Sequence, residues 1–532
     1  MTIRTSILMG GMAAAIALTA VTGANADTLP LYGGGSTLVE KVYRDLFNTY
    51  GNTAGTDLCF GLTTACPSTH YNDAVEILYV GVGSGNGLKA LEFNDANQYV
   101  SGGKTPDKVP VPSTKDFGPF YGTGTGSTWV PGTGVGPAFP SVTFSGSDNT
   151  LSQTDLDNAK NAPVPPGLGN NPLIQIPGII AAIAVPFNPA ANWTPGGASV
   201  LGASSKVQLS TNTLCGIFTG KITTWNNANI TKDNGGKRLG TGTITVVYRN
   251  DSSGTTFIFT NALINQCGNT ANAAGGITAV KTKSTFPVPG QWLADNTLTY
   301  NASAPHYKSG TSFFINVFNK NHLPANFYND QASSGVVGGA SGSGGIKKAI
   351  LATQGSIGYV SPDFVLPVDK TGPAAANLQT YATFSAGTTP VYRAPTAGNA
   401  SPILATTKPP SFGDGSAKNP LAWGVVNPTP SAASAYPIGG FSFIDLHRCY
   451  ASADVVAALV GAASGGAKAG YLTWYYGPSS VNQNQPASIL AKDGFAPVPA
   501  AWKTAINKLL TNPTLGVNVV GSGGCKGIAH GA

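Results

Sequence analysis

The chain has 532 residues, of which 42% are hydrophobic and only 10% charged, with 69 glycines and 38 prolines. That much apolar residue excludes an intrinsically disordered chain, and a formal net charge of +7 with no dense Lys/Arg run gives no electrostatic footprint for nucleic acid. A net positive field does raise the local concentration of anions, which mildly favours an anionic ligand.

The first predicted element is a secretory signal. Arg4 precedes an apolar stretch over residues 7–21, and the small-x-small sequence Ala24-Asn25-Ala26 stands ahead of Asp27. The expectation is a signal peptide over 1–26, a mature soluble chain from Asp27 and a periplasmic or secreted location. No later segment offers the ~20 uninterrupted apolar residues of a membrane span. All six cysteines, Cys59, Cys66, Cys215, Cys267, Cys449 and Cys525, follow that point. An even count in an exported chain favours disulfides over metal or redox chemistry, and no C-x-x-C spacing occurs. The count alone leaves the pairing open, although three well-separated groups of two suggest Cys59 with Cys66, Cys215 with Cys267 and Cys449 with Cys525.

From 27 to about 188, strand-like runs at 77–80 and 179–185 alternate with helical stretches that follow Gly- and Ser-rich turns, the pattern of an α/β fold. Thr37 and Glu40 have capping-box spacing ahead of an amphipathic run through Tyr43, Leu46 and Phe47, which predicts a helix capped by Thr37. A second α/β block, about 177–362, holds a strand at 244–248 and a helix after Ser253. The tail adds a strand at 441–446 and helices near 454–463 and 500–510. Two segments, about 102–140 and 386–437, are rich in Pro, Gly, Thr and Ser with weak periodicity and read as long surface loops inserted into a compact framework.

Four short segments share one kind of chemistry. Gly33-Gly34-Gly35-Ser36-Thr37-Leu38 sets small residues and hydroxyls at the start of a predicted helix, where backbone N–H groups and the helix dipole favour an anion. Gly81-Val82-Gly83-Ser84-Gly85-Asn86-Gly87-Leu88-Lys89 does the same after the strand ending at Val80. Tyr248-Arg249-Asn250-Asp251-Ser252-Ser253-Gly254-Thr255-Thr256 leaves a strand, offers a guanidinium able to form paired bonds to an oxyanion, and starts another helix. Ser145-Gly146-Ser147-Asp148 adds a carboxylate. The glycines of 81–87 do not make a dinucleotide fingerprint, because the third is misplaced and no acidic residue follows at the required distance after a second strand.

Taken together and in this order, these segments resemble the phosphate-binding proteins of ABC transporters of the PstS type, and most closely their DING branch. The resemblance extends to Leu214-Cys215-Gly216-Ile217-Phe218-Thr219-Gly220-Lys221-Ile222 with Thr224-Trp225, to Gly355-Ser356-Ile357-Gly358-Tyr359-Val360-Ser361-Pro362-Asp363-Phe364, and to Phe495-Ala496-Pro497-Val498-Pro499 with Trp502-Lys503. It runs through nearly the whole mature chain apart from the two long loops and shorter insertions. The opening Asp27-Thr28-Leu29-Pro30-Leu31-Tyr32 and Ser36 depart from the branch, and Cys59 and Cys66 lie in an insertion. The resemblance supports pairing Cys215 with Cys267 and Cys449 with Cys525.

It implies an α/β, two-lobed periplasmic binding protein fold of type II with the ligand cleft between the lobes. The corresponding division is 27–176 and 362–532 for one lobe and 177–361 for the other. Matching motif to motif implies a phosphate site with Thr37, Leu38, Ser84 and Asp148 from the first lobe and Arg249, Ser253, Gly254 and Thr255 from the second. An ionised Asp148 would accept a hydrogen bond from phosphate, which carries a proton at neutral pH, and repel sulfate, which does not. The expected partners are inorganic phosphate and the membrane permease subunits of an ABC phosphate transporter, for a monomer with no cofactor, no metal and no nucleic acid.

The rival expectation is a secreted phosphatase on the same fold. The five histidines, His70, His306, His322, His447 and His530, are dispersed without metal-ligand spacing, and no G-x-S-x-G elbow occurs. Thr37 or Ser253 could serve as a nucleophile, although a hydroxyl at a helix start is more often a cap. An adhesive protein whose loops matter more than its cleft is a third reading.

Overall fold

The computed structural model describes residues 28–51, 70–99, 139–161, 172–189, 207–268 and 339–528, with short pieces at 122–123, 130–131, 193, 284–286, 314 and 324–328. The chain opens in a sheet with strands β1 (Leu29–Gly35), β2 (Val75–Gly81), β3 (Phe144–Ser147) and β4 (Leu173–Ala182). It then crosses to a smaller sheet built from β5 (Pro186–Phe187), β6 (Thr245–Val246), β7 (Ser356–Ile357) and β8 (Ala374–Ala375). Finally it returns to the first sheet with β9 (Gly439–His447) and β10 (Ala496–Pro497). The strand orders are β10-β4-β9-β3-β1-β2 and β8-β5-β7-β6. β1 runs parallel to both β2 and β3, so the loops after these three strands leave from one edge of the sheet.

Four helices pack on these sheets and begin near their edges: α1 (Glu40–Tyr50), α2 (Ser84–Phe93), α3 (Gly254–Cys267) and α4 (Gly342–Ala352). Val42, Leu46 and Phe47 of α1 pack with Leu31, Ile77 and Phe144 of the larger sheet in one apolar core. Ile346, Ala349 and Ile350 of α4 pack with Val247, Val360 and Phe364 of the smaller lobe.

β4 and β9 form the spine of the larger sheet, paired over their full lengths from Leu173–His447 to Ala182–Gly439. Proline has no N–H for a ladder and is tolerated inside a sheet only at an irregularity. Pro177-Gly178 sits at one, where the register slips between Ser442 and Phe443. The two carbonyls of the irregular stretch are satisfied from outside the sheet, by the hydroxyl of Tyr476 donating to Pro177 O at 2.8 Å and that of Tyr475 to Gly178 O at 2.9 Å.

Several expectations need correction. α1 opens at Glu40 behind an uncapped Val39, because Thr37 is drawn into a contact with the other lobe instead of capping. β4 continues in the larger sheet to Ala182 and β8 joins the smaller one, so sheet membership changes at 183–185 and after residue 393, not at 176 and 361. The segment 386–437 is not surface decoration. Ile403, Leu404, Trp423 and Tyr436 are fully buried, and Trp423 meets Trp502 edge to face at 6.3 Å while donating its indole N–H to Ala417 O. Most of 102–140 lies outside the described residues, although Phe139 packs on Tyr32.

Trp423→Ala is accordingly expected to cost about 3–5 kcal/mol, the usual range for emptying a buried aromatic site. Urea unfolding checks this. A cost within the few tenths typical of exposed loop positions would restore the loop reading.

Disulfides join Cys215 to Cys267 and Cys449 to Cys525. The first ties a helix of the smaller lobe (Thr211–Phe218) to α3, and the second lies beside the end of β9 in the larger lobe. Cys59, Cys66 and the expected signal peptide lie outside the described residues. Among the described residues no helix is long and apolar enough to cross a membrane.

Candidate functional site

The loops that leave β1, β2 and β3 gather at the carboxyl edge of the larger sheet, the usual place for ligands in open α/β sheets. β1 can end so abruptly because residue 35 is glycine. Its φ is +137°, and a Cβ there would stand 2.1 Å from Gly146 O. Ser36 N then donates to Gly146 O at 2.7 Å, which sets Ser36, Thr37 and Leu38 beside the residues that follow β3. Gly83, with φ +89°, turns the chain from β2 into α2 and leaves Ser84 at that helix's first position.

Asp148 is the hub of this half. Its carboxylate accepts from Ser36 Oγ at 2.8 Å and from Ser442 Oγ at 2.7 Å, and its N–H donates to Ser84 Oγ at 3.2 Å. The smaller lobe meets it directly. A Cβ on Gly254 would lie 2.5 Å from Ser84 Oγ and 2.8 Å from Asp148 N, so α3 begins against the Asp148 backbone. Gly85 N also donates to Ser252 O across the cleft at 3.4 Å. A second crossing joins Thr37 Oγ1 to Ser343, which donates its N–H at 3.2 Å. The amino ends of α1, α2, α3 and α4 therefore converge, each with first-turn N–H groups that have no carbonyl earlier in the helix to receive them.

All eight expected ligand residues are buried. Ser84, Asp148 and Gly254 touch one another, and the Thr255 hydroxyl lies close enough to Asp148 to favour its ionised form. Ser253 uses its Oγ to accept the N–H of Thr256 at 3.1 Å, the capping role. Leu38 N–H is already given to Ser36 Oγ at 3.0 Å. Thr37 faces Ser343 and is joined to the Asp148 group only through Ser36.

The charge balance differs from the cationic site expected around Asp148. Arg249 forms a bidentate pair with Asp251 through Nε and Nη2, which leaves Nη1 outside the pair. Burial would pull the guanidinium down, but the Asp251 charge and its hydrogen bonds more than offset this. Asp251 Oδ1 also accepts the N–H of Gly342 at 3.2 Å, tying the guanidinium to the start of α4. With Arg249 matched by Asp251, an anion here would be held mainly by N–H and O–H dipoles. Burial pushes Asp148 up to about 6, against the pull of Ser442, Ser36, Arg249 and Thr255, so at neutral pH it is mostly ionised and able to accept a proton from a ligand.

Sequence reasoning assigns no role to Ser36, Asp251, Ser343 or Ser442. Asp251 carries a usable signal, since a carboxylate two residues from a buried arginine is within reach of it. Ser442 carries none, because it reaches Asp148 only through the pairing of β9 with β3. Among the described residues no group of three or more His, Cys, Asp or Glu side chains is placed to hold a metal ion.

Comparison with known proteins agrees with this geometry. The model of the PBP superfamily domain matches residues 20–438. Alkaline phosphatase L of Pseudomonas aeruginosa strain UCBPP-PA14 is 28% identical over 527 residues, covering 98% of each chain. A phosphate-binding protein from an unknown prokaryotic organism is 28% identical over 469 residues, covering 84% of this chain and 92% of its own. Among solved structures, the high-affinity periplasmic phosphate-binding protein PfluDING, bound with phosphate, superposes with a TM-score of 0.55 at 26% identity, over 92% of this chain and 96% of its own. With its two lobes, its cleft lined by helix starts and these relatives, the chain belongs to the PBP superfamily and is a PstS-type member of it, similar to the DING proteins.

Proposed function

We propose that this chain captures inorganic phosphate outside the cytoplasm, in the cleft where α1 to α4 converge, and delivers it to the permease subunits of an ABC importer. The observation that carries this reading is Asp148, a buried carboxylate at the meeting point of several helix starts. It disfavours any anion that cannot give it a proton, so it suits a protonated oxyanion and penalises sulfate. Relatives of nearly equal length named for phosphate binding support the same ligand. Both lobes supply groups to the cleft, so ligand binding favours the closed state.

The test is a thermal-shift and calorimetric comparison of phosphate, arsenate, sulfate and a phosphomonoester. Phosphate and arsenate should stabilise the protein and sulfate should not at neutral pH. The sign of the pH dependence follows from Asp148. Sulfate requires the protonated carboxyl, so its affinity should rise by up to about tenfold per pH unit lowered until the value near 6 is reached, and flatten below it. Asp148→Asn should remove that dependence and raise sulfate affinity at neutral pH. Sulfate rejection unchanged by acid and by the substitution would sink the assignment.

One observation favours a second reading: the 28% identical relative over 98% of the chain is named alkaline phosphatase L. Hydrolysis would use one of the hydroxyls around Asp148, of which Ser36 and Ser442 already donate to its carboxylate. Turnover of a chromogenic phosphomonoester, lost in Asp148→Asn, would establish it.

A further inference from the structure

Behind the Thr37–Ser343 crossing lies a second set of contacts that no anion ligand would touch. Lys41 follows Thr37 by four residues in α1, and Lys347 follows Ser343 by four in α4, so the two ammonium groups stand on facing helices of different lobes. Lys41 belongs to the larger lobe, yet its Nζ reaches across to the smaller one. It donates to Asp363 O at 2.9 Å and to Asp369 Oδ2 at 3.1 Å, and lies 3.7 Å from the centre of the Phe364 ring. Lys347 Nζ donates to the same Asp369 oxygen at 2.7 Å. The other oxygen, Oδ1, is fixed by the N–H and the hydroxyl of Thr371, each at 2.9 Å.

We propose that Lys41, Asp369 and Lys347 form an interlobe latch that holds the cleft closed and sets how long a ligand stays in it; the second half of this statement rests on the phosphate reading. Closing the cleft brings together the positive amino ends of α1 and α4 and two ammonium groups, an arrangement of like charge. Asp369 supplies the counter-charge from within the chain. Burial alone would raise its carboxyl, but Lys41, Lys347 and Thr371 hold it well below the ordinary carboxylate range, so the latch stays ionised. Closure is then partly a property of the protein itself, and the ligand adds to it.

The experiment is stopped-flow release of phosphate from the wild type, Lys41→Met, Asp369→Asn and the double variant, with small-angle scattering of each without ligand. Release should speed up by about fivefold in each single variant, the scale of one partly exposed ion pair. The double variant should release no faster than Asp369→Asn, since both changes open the same latch. Association should be unchanged, and added salt should shrink the difference between wild type and variants. The ligand-free radius of gyration should be larger in the variants. Asp369→Asn keeps the shape of the side chain and guards against a folding defect in Lys41→Met. Wild-type release rates in both single variants, or single effects that simply add, would overturn the latch, as would an unchanged radius of gyration. A wild type that binds no phosphate would overturn the ligand reading alone, because scattering reads the latch without phosphate.

Discussion

Arg249→Ala should weaken phosphate binding by more than about a hundredfold, and Asp251 is the reason for so large a loss. Charged hydrogen bonds are worth about 1.5–3 kcal/mol each, and each factor of ten in affinity is about 1.4 kcal/mol, so losing two such bonds already gives the hundredfold. Removing the guanidinium also strips Asp251 of its bidentate partner and leaves an unmatched carboxylate close to the incoming anion. The double variant Arg249→Ala with Asp251→Ala should therefore bind better than the single one, by about tenfold, because it discards the repulsion together with the attraction. Titration calorimetry on the four proteins reads the cycle directly. If the double variant is weaker than Arg249→Ala, Asp251 acts as a ligand or as an anchor for α4 and not as a counter-ion.

Gly254→Ala should abolish high-affinity binding, by about a hundredfold or more, without harming the fold. The added methyl group would fall 2.5 Å from Ser84 Oγ and within 2.8 Å of Asp148 N, and the backbone atom cannot rotate aside as a flexible side chain would. These atoms belong to the opposite lobe, so the clash exists only when the cleft is shut. Alanine is the better helix former at the first position of α3, so the ligand-free protein should melt at the same temperature or slightly higher. The distinguishing result is a melting temperature that no longer responds to phosphate. A normal ligand response would mean that the lobes approach less closely in the bound state than they do here.

Much of this fold and site is legible in the sequence because it depends on local chain geometry. Ser253 followed by an apolar run announces α3, and its hydroxyl does cap that helix. Glycines placed directly after strands mark the turns at Gly35 and Gly83. Thr37 misleads because capping-box spacing is a local signal, whereas its hydroxyl is committed to Ser343, 306 residues away. The segment 386–437 misleads for a related reason. Its buried side chains, Ile403, Leu404, Trp423 and Tyr436, are held by short irregular turns that carry neither a helical nor a strand period. The neutral charge balance around Arg249 escapes a count of formal charges taken one residue at a time, which leaves out the pair that Asp251 forms with it.

The two disulfides have a mechanical consequence. Each is contained within a single lobe, Cys215–Cys267 in the smaller and Cys449–Cys525 in the larger. Oxidation therefore stiffens each jaw separately and puts no covalent tether across the mouth. Between the jaws, these bridges leave the work to contacts that can be broken and remade in every cycle of uptake and release. An oxidising compartment thus hardens the moving parts of this machine without locking its joint.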